Sequence, residues 1–171
     1  MAAQAMNAVA DQLPQHLPAL RRYARVLTGD TAAADDLVQD CVERALSRAH
    51  LWREPGNMRA WLFTIMHNLN ANHCRYAAAR STMAMTGDRP EAARPAQQIE
   101  RLMANQTLSA LHQLSEAHRE VLILVAIEGM PYADAAAALG VPPGTVMSRL
   151  SRAREHLRKL ASEAPVAVRA A

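Results

Sequence analysis

The sequence predicts an all-α protein built as two small helical domains joined by a flexible linker, the second domain containing a helix-turn-helix. Three observations carry this. Alanine and leucine dominate while runs of β-branched residues are scarce, which favours helix over strand. Apolar residues recur at helical spacing through most of the chain. Between Ser81 and Gln97 that spacing stops, and Gly87, Pro90, Pro95 and scattered charges take its place. The expected boundaries are a tail over 1–12, a domain over 13–80, a linker over 81–98, a domain over 99–162 and a tail over 163–171.

Taken in order, Leu13, Leu17, Leu20, Ala24 and Leu27 define a first amphipathic helix, ended at Thr28-Gly29-Asp30. A second starts near Thr31. Leu37, Cys41 and the stretch Arg44 to Leu46 mark its inner side, and Asp36, Gln39, Asp40 and Glu43 its exposed acidic face. Residues 50–57 contain Pro55-Gly56 and break the pattern. A third helix covers Met58 to about Arg80, anchored by Trp61, Ile65 and Leu69. Trp52 and Phe63 are also aromatic; stacking on nucleic acid is conceivable for such residues, but Trp61 at helical spacing in an apolar segment reads as core. After the linker, order resumes at Ile99. Ser115 stands as an N-cap before SEAHREVLILVAIEG, an apolar helix closed by Gly129.

Residues 131–155, PYADAAAALGVPPGTVMSRLSRARE, form the helix-turn-helix. Ala136 lies where the two helices approach closely. Gly140 occupies the turn, where a residue without Cβ costs least. Val141 points inward, and Pro142-Pro143-Gly144 opens the next helix. Val146, Leu150, Ala153 and Leu157 recur at i, i+4, i+7 and i+11 as its buried stripe. Thr145, Ser148, Arg149 and Arg152 share another face, and short polar and arginine side chains there suit base edges and phosphates in a major groove.

The formal net charge is only +3 over 171 residues, so distribution matters more than total. From 142 to 160, Arg149, Arg152, Arg154, Arg158 and Lys159 stand against Glu155 alone. From 30 to 46, Asp30, Asp35, Asp36, Asp40 and Glu43 stand against Arg44 alone. An acidic surface early and a basic one late imply two different partners. Cys41 and Cys74 are too few for a disulfide framework, and His67, His73 and Cys74 lack the further ligand that a metal site needs. No apolar run reaches the roughly 20 residues of a membrane span, and MAAQAMNAVADQ lacks the features of a secretory signal. A cytoplasmic protein is expected, with no cofactor and no small-molecule substrate. No nucleophile–base pair, glycine-rich phosphate loop or metal cluster suggests an enzyme.

Read together, DDLVQDCVERAL, then RAWLFTIMHNL, then LHQLSEAHREVLILVAIEGMPYADAAAALGVPPGTVMSRLSRAREHL resemble the extracytoplasmic-function (ECF) bacterial sigma factors over residues 13 to 160. LRRYARVLTGD and NMRAWLFTI are similar to the general-stress type. The resemblance implies three tasks: binding core RNA polymerase, reading two promoter elements and helping to open the duplex between them. It assigns core binding to Asp36, Leu37, Gln39, Asp40 and Glu43, with Val38 adding apolar contact. It assigns the minus-10 element to His67, Asn68, Asn72 and Arg75, where asparagines bond base edges and an arginine holds phosphate. It assigns the minus-35 element to Thr145, Ser148, Arg149 and Arg152, and it implies an anti-sigma factor as a further partner. Departures from the family pattern are His67 in place of a frequent arginine, which could add pH sensitivity, Tyr76-Ala77-Ala78-Ala79-Arg80 in place of a basic run, and Met147 and Ser151 in the recognition helix. The helix-turn-helix alone would equally suit a conventional regulator acting without polymerase; the DLVQ and RAWL segments argue for the sigma reading.

Overall fold

A computed structural model of the chain describes residues 2–52, 56–83 and 109–163, all of whose regular elements are helical. Helix α1 runs Ala2–Thr28 and α2 Thr31–Ser47, followed by a 3-10 turn at Ala49–Leu51 and α3 at Met58–Met83. In the second half, residues 109–112 are helical. They lead to α4 (Glu116–Leu122), a π-helical turn (Ile123–Ile127), α5 (Tyr132–Leu139) and α6 (Pro143–Glu163).

Helix α1 starts well before the expected position. Its apolar stripe is expected to begin at Leu13 after a tail over 1–12, yet the helix continues back to Ala2, and Val9, fully buried, extends the same stripe. Its end is as read: Gly29 takes φ +73°, a left-handed value that glycine adopts without penalty. Asp30 then caps α2, accepting from the Ala33 N–H at 2.8 Å. Ser115 stands at the N-cap of α4 as expected, but its hydroxyl makes no capping bond.

Helix α3 is more deeply enclosed than its period suggests. Ile65 and Leu69 are buried and Trp61 only partly, tilted against Trp52 with ring centroids 5.5 Å apart. Leu62, Phe63 and Met66 are wholly buried as well. The reason is that α3 has neighbours on both sides: α1 and α2 on one, the second half on the other. Buried residues of both halves form a single apolar cluster, so the two expected domains pack as one body. The expected linker lies outside the described residues from 84 onward, as does the apolar run Ile99 to Leu108.

Arg119 ties several chain ends together. Its guanidinium donates to the carbonyls of Leu111 and Leu114 at 3.0 Å, and of His112 and Val26 at 3.3 Å. Val26 belongs to α1, so one side chain closes the segment before α4 and reaches across to the first half. Charge-assisted bonds of this kind contribute about 2 kcal/mol net. Arg119→Ala is therefore expected to lower unfolding free energy by about that much, measured by urea denaturation.

Candidate nucleic-acid interface

The helix-turn-helix forms as its sequence dictates. Gly140 ends α5 at φ +63°, and the Val141 N–H reaches back to the Ala136 carbonyl at 3.0 Å. Val146, Leu150 and Ala153 are buried and Leu157 packs partly against them. That stripe aims the opposite face of α6 outward. Ser148 and Arg152 are exposed, while Thr145 and Arg149 are half-buried. The Ser148 hydroxyl donates to the Thr145 carbonyl at 3.0 Å. On the far side of α6, Tyr132, Met147, Arg154 and Arg158 help line a cleft of about 260 Å³.

On α2, Asp36, Gln39 and Glu43 are exposed and Asp40 half-exposed. Gln39 bridges to Glu43 at 3.0 Å, one helical turn on. Leu37 and Val38, assigned to the same contact, are buried in the chain's own core. Leu37 thus lies on the inner side that helical spacing gives it, and with Val38 it holds the helix in place; in this arrangement the polar residues alone are exposed on this face. Arg44, read as an inner residue, is exposed.

Of the four residues assigned to the minus-10 element, Asn68 and Arg75 are exposed and Asn72 half-buried, accepting from Arg75 Nη2 at 2.6 Å. Asn68 and Asn72 line a surface cleft of about 250 Å³ together with Ile65, Leu69, Arg44 and Arg48. Arg44 lies in the last turn of α2 and Arg48 at its C-cap, and the two line this cleft with the two asparagines of α3. Such a cleft offers cations for phosphate and amides for base edges. The i, i+4 arginine pair was visible in the sequence, but its pairing with α3 needed the fold.

His67 points elsewhere. Its Nδ1 lies 2.8 Å from Glu120 Oε1 on α4, and the Tyr23 hydroxyl donates to the same oxygen at 3.4 Å. The hydrogen bond to Glu120 raises the histidine pKa above its ordinary value; partial burial and Arg149 oppose it, and Glu116 adds to it. Since the pKa is raised, protonated His67 favours this contact below about pH 6.5, and the gain fades as pH rises through the shifted value. In an NMR titration His67 is expected to ionise above the ordinary histidine range, and Glu120→Gln to bring it down. An unchanged midpoint in the variant would contradict the assignment. His73 meets Asp40 at 3.5 Å and Cys74 meets Glu116 at 3.8 Å, so the three metal-capable side chains turn to different partners.

The largest feature missed in the sequence is the seam holding His67. Glu128 has a side chain with no solvent exposure, yet it is ionically paired: Arg22 binds it through two bonds of 2.9 Å, and Arg59 Nη2 binds Oε2. Beside it, Asn70 donates to Glu116 at 2.7 Å and Asn57 to Asp134 at 2.6 Å. At 3.6 residues per turn, Glu120 and Glu128 would sit roughly 80° apart around a regular helix. The wider π turn between them, in which the Glu128 N–H reaches Ile123 O at 2.9 Å, removes part of that offset. The available signal was two carboxylates embedded in the apolar run REVLILVAIEG.

Among the described residues every regular element is helical, and an outward-facing helix-turn-helix with a separate acidic helix face fits the class of DNA-reading proteins. Comparison with known proteins identifies the family. Residues 13–67 match the family described as the Sigma2 domain of PhyR, and residues 104–157 match Sigma-70, region 4. ECF RNA polymerase sigma factor EcfG of Rhodopseudomonas palustris is 35% identical over 154 residues, spanning 90% of this chain and 85% of that one. ECF RNA polymerase sigma factor SigL of Mycobacterium tuberculosis is 36% identical over 147 residues, spanning 84% and 83%. Among solved structures, the sigma factor RpoE in complex with the anti-sigma factor NepR from Bartonella quintana superposes with a TM-score of 0.81 at 34% identity, over 91% of this chain and 98% of that one. CnrH in complex with the cytosolic domain of CnrY gives 0.73 at 29% identity, over 96% of each. The chain belongs to the ECF family of RNA polymerase sigma factors.

Proposed function

We propose that this sigma factor divides its work between its halves, residues 13–80 serving core polymerase and the minus-10 element and residues 99–162 the minus-35 element. The observation that carries the division is the placement of two opposite surfaces on separate helices, an exposed acidic row on α2 and an exposed polar and basic row on α6. Acidic residues are repelled by DNA, so Asp36, Gln39, Asp40 and Glu43 meet a basic protein surface on the polymerase. Asn68, Asn72 and Arg75, extended by Arg44 and Arg48, take the unstacked minus-10 strand. Ser148, Arg149 and Arg152 read the minus-35 duplex, with Thr145 on backbone phosphate.

The chain supplies recognition and strand capture, and the polymerisation chemistry belongs to the core enzyme. It acts in the cytoplasm; no helix among the described residues is long and apolar enough to cross a membrane. An anti-sigma factor is a further partner, supported by the likeness over both halves to a sigma factor bound to one. The LRRYARVLTGD and NMRAWLFTI segments support a reading of the chain as similar to the general-stress type.

Core binding tests the division. Asp36→Lys combined with Glu43→Lys is expected to lower affinity for purified core polymerase at least fivefold at low salt, less at high salt, with an unchanged thermal midpoint because both positions are exposed. Undiminished binding would move the polymerase contact elsewhere.

A further inference from the structure

Thr145, Arg149 and Arg152 occupy one flank of α6, and the other flank has a different chemistry. The buried stripe of Val146, Leu150 and Ala153 puts Ser148 at the outward pole of the helix. At 3.6 residues per turn, Arg152 and Arg149 lie roughly 50° and 110° to one side of that pole, and Ser151 and Met147 roughly 50° and 90° to the other. On this second flank Met147 is 51% exposed, and Tyr132 of α5 is 43% exposed. The two line one cleft with Leu150, Ser151, Arg154 and Arg158. Arg154 and Arg158 make no hydrogen bond or ion pair with any described residue. Glu155, which follows Arg154, is held by Lys159 at 3.2 Å.

A single exposed methionine is ordinary on a protein surface. Met147, however, stands near the start of a recognition helix, the stretch whose side chains meet base edges in the major groove. A groove about 12 Å wide admits the whole helix and so faces both of its flanks. Most of what base edges offer there is hydrogen-bond donors and acceptors. A thioether answers these poorly, because it donates nothing and accepts weakly. The apolar feature left for it is the C5-methyl group of thymine. The unbranched methionine side chain adapts readily to such a contact, and Tyr132 adds a second apolar surface to the same cleft. Arg154 and Arg158 continue this flank about two and three turns further along the helix, where free cations suit the phosphates that border the groove.

We propose that Met147, with Tyr132 beside it, reads the C5-methyl group of a thymine in the minus-35 element, a specificity contact separate from those of Ser148, Arg149 and Arg152. The proposal rests on the assignment of α6 to that element and makes a demand of its own: the element contains a thymine, on one strand or the other, whose methyl group counts.

Uracil differs from thymine by that methyl group alone, so substitution in the DNA tests the contact without altering the protein. The probe is the promoter duplex recovered by transcription with core polymerase, prepared with each minus-35 thymine of either strand replaced in turn by deoxyuridine. Binding of the full chain together with core polymerase is measured at equilibrium. One or two of the replacements are expected to weaken wild-type binding about fourfold, the worth of one methyl group removed from water. Met147→Ala is expected to bind those thymine and uracil duplexes within about 1.5-fold of each other, with its thermal midpoint unchanged because the side chain is half exposed. Arg152→Ala, by contrast, keeps the fourfold difference while binding both duplexes more weakly. Thymine and uracil bound alike throughout the element, or an element without thymine, would overturn the proposal. A difference that Met147→Ala retains would also overturn it, since another group would then read the methyl. Wild-type protein that binds no promoter duplex with core would remove the sigma reading instead. The same comparison is then made on a duplex selected from random sequences by the chain alone, where equal binding of thymine and uracil, or failure to select any duplex, overturns the methyl contact.

Discussion

Replacing Arg152 by alanine is expected to weaken promoter-directed transcription by about 5- to 150-fold, the equivalent of 1–3 kcal/mol for an arginine that reads a guanine with two bonds. Arg152 is exposed on the outward face of α6, and that face is oriented by Val146, Leu150 and Ala153 beneath it. Nothing in the core depends on the guanidinium, so thermal stability should change by no more than about 0.5 kcal/mol. The pattern of loss separates two modes of contact. A base contact relaxes the preference at one position of the minus-35 element, whereas a phosphate contact weakens all sequences alike and reduces the salt dependence by about one ion. Full activity in the variant would show that α6 does not read DNA through this face.

Phe63→Ala is expected to cost 3–5 kcal/mol of unfolding free energy, which for a chain of this size lowers the thermal midpoint by roughly 6–20 °C. Phe63 has no solvent exposure and stands edge-on to Tyr23, ring centroids 5.1 Å apart at 89°. The Arg59 guanidinium lies 5.8 Å over its ring. Through Tyr23 and Arg59 it supports both carboxylate sites of the seam. The variant should therefore lose the raised His67 pKa along with stability. A loss below 1 kcal/mol would mean that the site collapses around the missing ring and that α3 is not the common packing element of the two halves.

What the sequence made legible was what depends on local pattern. Gly29, Asp30, Gly140 and the stripe Val146–Leu150–Ala153 each follow from a backbone or period requirement that neighbouring residues satisfy. The exposed face of α6 follows from that stripe. Contacts between distant segments were not legible. Arg22 and Arg59 carry no signal in the sequence, and His67 is assigned there to the minus-10 element; their partners Glu120 and Glu128 lie 53 to 106 positions away. Leu37 is a different case: the motif suggested a partner contact, while the local helix period, legible in the sequence, placed the side chain inward. Arg48 shows the converse: its chemistry was plain, but only α3 opposite supplies the asparagines that give it a place.

The central claim is that this chain directs core polymerase to promoters. Transcription by purified core RNA polymerase on a fragmented genomic library, with and without the chain, tests it most directly. The account predicts new transcripts that start downstream of one shared pair of sequence elements. No new start sites, together with binding of duplex DNA by the chain alone, would contradict it and leave a helix-turn-helix regulator in its place.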